Sequence, residues 1–309
     1  MQTTKLNNSY SKLKEQFTLL CNEPMKNHTS MKIGGPADLF AMPETKKELI
    51  ALVQASSKEG ISLTISGGGT NLLVRDKGIR GLVVCTTKFK QAIKTTKVNS
   101  ETSLVKVSCG TKLSTLCNYT IDNNLMGFEF AAGIPGTTGG AVMMNAGTPE
   151  GSISDIISSI SIADNYGKVQ TIDHDDLNFS YRKLNNISGV IIDASFLLKA
   201  AKSTQYRKKY EKILNKKRDS QPLALKSAGC IFKNPDKGEP AGKLIDMAGL
   251  KGKKIGGAMI SEQHANFIIN IKDAKCEDII KLKELIEKKV AALFSVKLQT
   301  EIIITGDEK

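Results

Sequence analysis

An uncharged, glycine-rich segment, GIPGTTGGAVMMNAG, runs from Gly133 to Gly147 and leaves the chain few ways to fold there. Flexible linkers are polar, so an apolar segment of this kind must pack against other structure. The glycine spacing, followed by an apolar run, suits a backbone cradle for a pyrophosphate and a flat ring system. Close packing of glycines against a sheet explains the pattern equally well.

A second glycine block, SGGGTN, covers Ser66 to Asn71 and follows a predicted strand. Consecutive glycines let backbone N–H groups approach an anion where a side chain would hold it off. The block contains neither the P-loop pattern nor the Rossmann pattern, so it predicts neither of those sites. A tight turn that binds no ligand would have the same sequence pattern.

Periodicity elsewhere predicts a mixture of helices and strands. Thr45 and Glu48 have capping-box spacing, and Gly60 ends the helix that they begin. Further helices are predicted near 111–123 and over 275–293, and a second domain near residue 200. Strands are predicted at 62–66, 81–85, 103–108, 157–164, 189–198, 266–271 and 296–305.

The charge balance favours anionic partners. Lys plus Arg number 44 against 31 Asp plus Glu, a net charge of +13. The densest basic run, 207–218, carries Tyr210, Ile213 and Leu214 at helical spacing, which indicates a solvated helix face. Aromatic residues are 5% with no tryptophan, which argues against nucleic-acid stacking. Polyanionic small molecules therefore suit the excess charge better.

Composition also excludes several classes of protein. No apolar run approaches the roughly 20 residues that a membrane span needs, and the polar beginning of the sequence favours the cytoplasm. The six cysteines form no C-x-x-C pair, so neither a metal site nor a disulfide framework is expected.

Six blocks together carry a family resemblance. They are GGGTNLLV, GIPGTTGGAVMMNAG, SYR at 180–182, SAGCIFKNP at 227–235, GGAMISEQHANFIIN at 256–270 and LQTEIIITG near the end. In order and spacing over residues 28–306 they resemble the UDP-N-acetylenolpyruvoylglucosamine reductase family. The compact run from Asn145 to Tyr181 resembles the shorter of the two subtypes of this family.

The resemblance implies an α+β fold. It consists of a two-subdomain FAD-binding region of the vanillyl-alcohol oxidase type, at 1–200, and a C-terminal α+β substrate-binding domain, at 201–309. The subdomains would span about 1–65 and 66–200, with the flavin bound between them. No histidine of the sequence stands in a flavin-attachment context, so the FAD is expected to be noncovalent. The glycine blocks would contact it through Ser66, Gly67, Gly68, Gly69, Thr70, Asn71, Gly133, Ile134, Pro135, Gly136, Thr137, Gly139 and Gly140.

The resemblance also implies the reaction. NADPH reduces the flavin, and hydride then passes from flavin N5 to C3 of the enolpyruvyl ether of UDP-N-acetylglucosamine. Protonation at C2 completes UDP-N-acetylmuramate, a peptidoglycan precursor. A monomer that binds a small-molecule substrate, with no nucleic-acid or membrane partner, is expected.

Three residues match the catalytic positions of the family. Arg182 would stabilise charge on the substrate carboxylate, and Glu301 would support the enol form or assist proton transfer. Cys230 stands where other members have serine or cysteine, and a thiol of pKa about 8.5 is protonated at neutral pH and able to donate to C2. The blocks on the substrate side add Lys233, Asn234, Gln263 and His264.

Two alternative functions explain fewer of these sequence features. A flavin oxidase of the same fold would share the glycine blocks but gives no reason for Arg182, Cys230 and Glu301 to recur in theirs. A non-enzymatic anion-binding or nucleic-acid-binding protein rests only on the net charge.

Overall fold

The computed structural model describes residues 2–201 and 205–308. Within these residues there are seven α-helices and nineteen β-strands. The helices are α1 (Gln2–Gln16), α2 (Lys46–Lys58), α3 (Leu113–Asp122), α4 (Thr138–Met143), α5 (Gln205–Ser220), α6 (Ala241–Met247) and α7 (Cys276–Phe294).

The strands are short except in one sheet. They are β1 (Leu20–Pro24), β2 (Pro36–Ala41), β3 (Leu63–Ser66), β4 (Leu72–Val74), β5 (Ile79–Cys85), β6 (Lys94–Lys97), β7 (Thr102–Ser108), β8 (Leu125–Met126), β9 (Gly147–Thr148), β10 (Gly151–Ser152), β11 (Ile157–Ala163), β12 (Val169–Asp173), β13 (Asn178–Ser180), β14 (Lys183–Asn185), β15 (Val190–Ala200), β16 (Lys254–Ile255), β17 (Ala258–Ile260), β18 (Ile268–Asn270) and β19 (Ile303–Thr305).

The chain divides into two compact units. Unit 1 comprises 1–20, 39–68 and 81–216, and unit 2 comprises 21–38, 69–80 and 217–309. Their boundaries differ from the single division predicted near residue 200.

Unit 1 is built around an antiparallel sheet in the order β12-β11-β15-β7-β6, with β8 also paired to β15. The central strand β15 is eleven residues long, and its first seven residues are buried. Buried side chains in consecutive positions mean that both faces of this strand are covered. Helix α4, which contains part of the glycine block, lies against β15.

Helix α2 forms as its caps predict. The Thr45 hydroxyl accepts a hydrogen bond from the Glu48 amide at 3.1 Å, and Gly60 adopts a φ of +64° just beyond the last turn. Its buried face consists of Leu49, Leu52 and Val53 with Ser56.

Unit 2 combines the C-terminal residues with two earlier segments. The segment 69–80 joins it because β4 pairs in parallel with β19, from Leu72 with Ile303 to Val74 with Thr305. The segment 21–38 joins it because its Met31 and Ile33 enter the same buried cluster as the side chains of α7. A three-stranded antiparallel sheet, β16-β17-β18, completes the unit.

Two predicted strands of unit 2 are shorter in the structure. Of 296–305, only Ile303–Thr305 forms a strand, and Thr300 makes an isolated bridge to Phe232 instead. Of 266–271, only Ile268–Asn270 does so.

The interpretation of the basic run as a solvated helix face is confirmed. Within α5, Ile213 is buried while Lys208, Lys209 and Lys212 are exposed. The six cysteines are free thiols, and the described residues contain no group of three or more His, Cys, Asp or Glu able to hold a metal. Across 2–201 and 205–308, no helix has the length and apolarity to cross a membrane.

Candidate active site

The two glycine blocks meet inside unit 1. A Cβ atom added at Gly67 would clash with Oγ1 of Thr137, so the turn after β3 lies directly on the beginning of α4. Oγ1 of Thr137 also caps α4 by accepting a hydrogen bond from the Gly140 amide at 3.4 Å. The Cys85 thiol, in turn, donates to the Gly67 carbonyl at 3.5 Å.

The glycines of the 133–147 block lie in different surroundings. Gly139 serves close packing, because an added Cβ would come within 2.8 Å of Cys109 Cβ and its amide donates to the Cys109 carbonyl at 2.8 Å. At Gly140, by contrast, an added Cβ would meet only Oγ1 of Thr137, at 3.5 Å, among the described atoms within 4 Å. This side of α4 therefore leaves space beside the backbone.

Ser66 has an unusual hydroxyl. The residue is 4% exposed, and in the described part of the chain its Oγ has no hydrogen-bond partner. A buried polar atom without a partner is costly, and a ligand oxygen would satisfy it. The first half of the turn thus fits a phosphate-bearing cofactor, through this hydroxyl and the neighbouring glycine backbone.

Arg182 lies at the tip of a hairpin in unit 1. Strands β13 and β14 pair from Asn178 with Asn185 to Ser180 with Lys183, so Tyr181 and Arg182 form a two-residue loop. Arg182 has a φ of +60°, which is rare for a residue with a side chain and concentrates at functional sites. Its Cζ lies 5.1 Å from the centre of the Tyr181 ring, within cation–π distance.

Asn145 ties this hairpin to the glycine-rich segment. Its Nδ2 donates to the Ser180 carbonyl at 3.1 Å, and its Oδ1 accepts from the Ser154 amide at 3.0 Å. The residue is 9% exposed and has a φ of +39°. Sequence reasoning did not single out Asn145 as a site residue, although asparagine tolerates a left-handed backbone better than most residues do.

Backbone pairing in unit 2 brings Cys230 and Glu301 together. The Glu301 amide donates to the Ile231 carbonyl at 2.8 Å, and the Lys233 amide donates to the Gln299 carbonyl at 2.8 Å. Cys230 itself forms a bridge with Phe267. Three distant blocks of the sequence therefore converge around one thiol, which is partly exposed.

Asn266 holds the segment after Cys230 from the side. Its Oδ1 accepts from the Phe232 amide at 3.0 Å, and its Nδ2 donates to the Phe232 carbonyl at 2.8 Å. The side-chain amide thus takes the place of a neighbouring strand. Sequence reasoning missed this residue because no local pattern distinguishes it.

The second half of the glycine turn belongs to unit 2 and contacts the segment that carries Glu301. Asn71 donates from Nδ2 to the Glu301 carbonyl at 3.2 Å, and its own carbonyl accepts from the Ile303 amide at 2.9 Å. Gly69 has a φ of +61°, and an added Cβ would clash with the His28 carbonyl.

The predicted substrate-binding residues occupy varied settings in unit 2. Asn234 accepts from the Ala241 amide at 3.1 Å, at the beginning of α6. Gln263 donates from Nε2 to the Arg218 and Asp219 carbonyls, at 3.2 and 3.0 Å, which caps the end of α5. Lys233 is partly buried in the segment held by Asn266.

His264 accepts a hydrogen bond from the backbone of unit 2. Nδ1 accepts from the Asn266 amide at 3.3 Å, so the proton of the neutral ring is on Nε2. Burial lowers the pKa of this imidazole, and the charge of Lys251 lowers it further. The ring edge also contacts Phe267, with the two ring centres 4.9 Å apart.

Comparison with known proteins identifies the family. The model of the UDP-N-acetylenolpyruvoylglucosamine reductase C-terminal domain matches residues 221–305, and that of an FAD binding domain matches 37–173. A protein of Desulfosudis oleivorans named UDP-N-acetylenolpyruvoylglucosamine reductase is 41% identical over 92% of this chain and 94% of its own. The chain belongs to the UDP-N-acetylenolpyruvoylglucosamine reductase family.

Further members of the reductase family agree in length and fold. A protein of the same name from Caldanaerobacter subterraneus is 42% identical over 96% of this chain and 98% of its own. The solved UDP-N-acetylenolpyruvylglucosamine reductase of Thermus caldophilus has a TM-score of 0.77 and 31% identity, covering 91% of this chain and 97% of that one. The predicted family, the α+β fold and the oxidoreductase class are thus confirmed.

Proposed function

We propose that this protein is a cytoplasmic, FAD-dependent reductase. It uses NADPH to convert the enolpyruvyl ether of UDP-N-acetylglucosamine to UDP-N-acetylmuramate for peptidoglycan synthesis. The observation that carries the proposal is the pairing of the segments of Cys230 and Glu301, since it places a thiol and a carboxylate from separate family blocks on adjacent backbones.

When bound, FAD supplies the hydride carrier that amino-acid side chains lack. The residues present suit it. The partnerless hydroxyl of Ser66 and the open backbone at Gly140 would hold parts of the cofactor, while Gly67 and Gly139 give the cradle its shape. Attachment would be noncovalent, since no histidine of the sequence stands in a flavin-attachment context.

Arg182 has the role of stabilising charge on the substrate carboxylate. A fixed cation lowers the energy of a transition state in which that charge grows, because it needs no reorganisation during the reaction. The hairpin loop, the contact with Tyr181 and the anchor at Asn145 keep the guanidinium in place.

Cys230 has the role of giving a proton to C2 of the substrate. The S–H bond breaks as the C2–H bond forms, which leaves a thiolate that regains a proton from solvent before the next cycle. Glu301 supports the enol form through a hydrogen bond or assists this return of the proton.

The remaining assignments concern the UDP portion of the substrate. Lys233 suits the diphosphate as a point charge, and the NH2 group of Asn234 suits a phosphate or uracil oxygen. His264, neutral because of its lowered pKa, offers its Nε2–H as a donor. The substrate role of Gln263 would have to coexist with its cap on α5.

The two halves of the reaction test the proposal separately. Under anaerobic conditions, NADPH should reduce the flavin and remove its absorbance at about 450 nm in wild type and in Cys230→Ala alike. Added enolpyruvyl substrate should restore the absorbance quickly in wild type and in Cys230→Ser, and far more slowly in Cys230→Ala.

The matched control is Cys21→Ala, which removes an exposed thiol outside the catalytic blocks and should behave as wild type. A purified protein without flavin absorbance would refute the cofactor. Wild-type rates of reoxidation in Cys230→Ala would remove the thiol from the mechanism.

A further inference from the structure

Ser30 connects the glycine turn with the loop that carries Cys230. Its backbone amide donates to the Gly69 carbonyl at 3.2 Å. Its hydroxyl lies 2.6 Å from the Ser227 carbonyl and 3.3 Å from that of Gly69. A hydroxyl has one proton to donate, so the shorter contact, with Ser227, is the stronger bond.

The segment 28–30 packs closely against the glycine turn at Gly69. Gly69 is buried, and the His28 carbonyl occupies the place where any Cβ at residue 69 would be. No side chain separates the 28–30 segment from the turn. A shift of the turn at Gly69 would therefore also displace Ser30.

The Ser30 hydroxyl bonds to the loop 227–230, in which Gly229 is the flexible residue. Ala228 is 2% exposed and fixed in the core of unit 2. Gly229 has a φ of +77°, and no described atom lies within 4 Å of an added Cβ. Because a glycine with space around it changes conformation easily, the thiol that follows depends on anchors at both ends of the loop.

Those anchors are of different kinds. Downstream, the bridge between Cys230 and Phe267 and the Asn266 amide hold the backbone. Upstream, Asn270 donates its amide to the Lys226 carbonyl at 2.9 Å. Closer to Gly229 on the upstream side, the Ser30 hydroxyl bonds to the Ser227 carbonyl, and it also links the loop to the turn.

We propose that Ser30 is a positioning residue, which fixes the Cys230 thiol for proton transfer by tying the Ser227–Cys230 loop to the glycine turn at Gly69. This inference rests on the proposed function only in the role given to Cys230. Neither the amide nor the hydroxyl of Ser30 would touch the reacting atoms.

The first test separates the two half-reactions in Ser30→Ala. Reduction of the flavin by NADPH should stay within about twofold of wild type, and reoxidation by the enolpyruvyl substrate should slow about tenfold or more, because small displacements of a reacting group reduce rates steeply. Ser30→Thr, which keeps the hydroxyl, should restore reoxidation to within about threefold.

The matched control is Ser56→Ala. Ser56 is buried in α2, and its hydroxyl donates to the Val53 carbonyl at 2.9 Å, so its loss also removes a side-chain bond to the backbone. It should leave both half-reactions unchanged. Equal slowing of both steps in Ser30→Ala, or no slowing of either, would overturn the proposal, as would failure of Ser30→Thr to restore the rate.

A second readout needs no turnover. The alkylation rate of Cys230 by iodoacetamide, measured by peptide mass spectrometry on the flavin-loaded protein, should change at least about threefold in Ser30→Ala and remain at the wild-type value in Ser56→Ala. An unchanged rate in Ser30→Ala would refute the positioning role. If wild type fails to react with the enolpyruvyl substrate, the proposed function is wrong, and the alkylation rates still decide the role of Ser30.

Discussion

Replacing Asn266 with alanine should destabilise the protein far more than its loss of volume suggests. Asn266 is 3% exposed and makes two hydrogen bonds to Phe232, which is itself 1% exposed. In Asn266→Ala, the Phe232 N–H and C=O both lose these partners in a region that water does not reach.

The magnitude follows from the cost of a buried polar group without a partner. At about 1–3 kcal/mol for each group, the free energy of unfolding should fall by about 2–6 kcal/mol. The assay is equilibrium unfolding in urea followed by circular dichroism, together with hydrogen exchange at the Phe232 amide, which should accelerate in the variant.

Asn185→Ala is the matched control. Asn185 also donates twice from Nδ2, to the Asn178 carbonyl at 3.1 Å and to Ser180 Oγ at 3.0 Å, but in an exposed hairpin where water replaces the lost bonds. Its loss should cost no more than about 0.5 kcal/mol. Equal costs for the two variants, or protection of the Phe232 amide unchanged in Asn266→Ala, would refute the reasoning.

Three other predictions concern thiols, acid and the glycine block. Burial raises the pKa of the Cys109 and Cys276 thiols to about 12, so at pH 8 a disulfide reagent should label exposed Cys21 at least about a hundredfold faster than either. Burial lowers the pKa of His264 in the folded protein, so the stabilisation by the neutral ring is complete above the ordinary pKa of 6.5 and is lost as the pH falls from 6.5 through the lower folded pKa. The melting temperatures of wild type and His264→Gln should therefore converge or cross on acidification. A constant difference between them would contradict this. Gly140→Ala should raise the free energy of unfolding of the cofactor-free protein by up to about 1 kcal/mol, because α4 gains a better helix former without a clash. Thermal unfolding measures this change. A lower melting temperature in the variant would show that the space beside α4 is absent.

Local signals predicted much of the fold. The capping residue Thr45 and the stop at Gly60 defined α2, and apolar runs predicted three of the six strands of the large sheet, namely β7, β11 and β15. These features depend on neighbours within a few positions in the sequence, so a sequence pattern contains them.

The composition of unit 2 could not be predicted in the same way. The pairing of Leu72 with Ile303 joins segments that are far apart in the sequence, and neither segment indicates its partner. For the same reason no local signal assigns the segments 21–38 and 69–80 to unit 2, and the domain division near residue 200 stays a prediction. The roles predicted for Arg182, Cys230 and Glu301 came from matched blocks and stay predictions until variants are measured.

Side chains that bond to backbone were the hardest to predict. Asn266 and Ser30 act on carbonyls far away in the sequence, and no spacing rule connects them with their partners. Gln263 was assigned to the substrate because of its block, whereas in the structure its amide satisfies the last carbonyls of α5, which every helix end leaves without partners.

The parallel pairing of β4 with β19 has a consequence for synthesis on the ribosome. Asn71 and Glu301, at the start of the paired segments, are 230 positions apart. At about 5–20 residues per second, β4 emerges on the order of ten seconds or more before its partner exists. During that time its edge is available to other strands, so a chaperone that shields the nascent 69–80 segment should increase the yield of native protein.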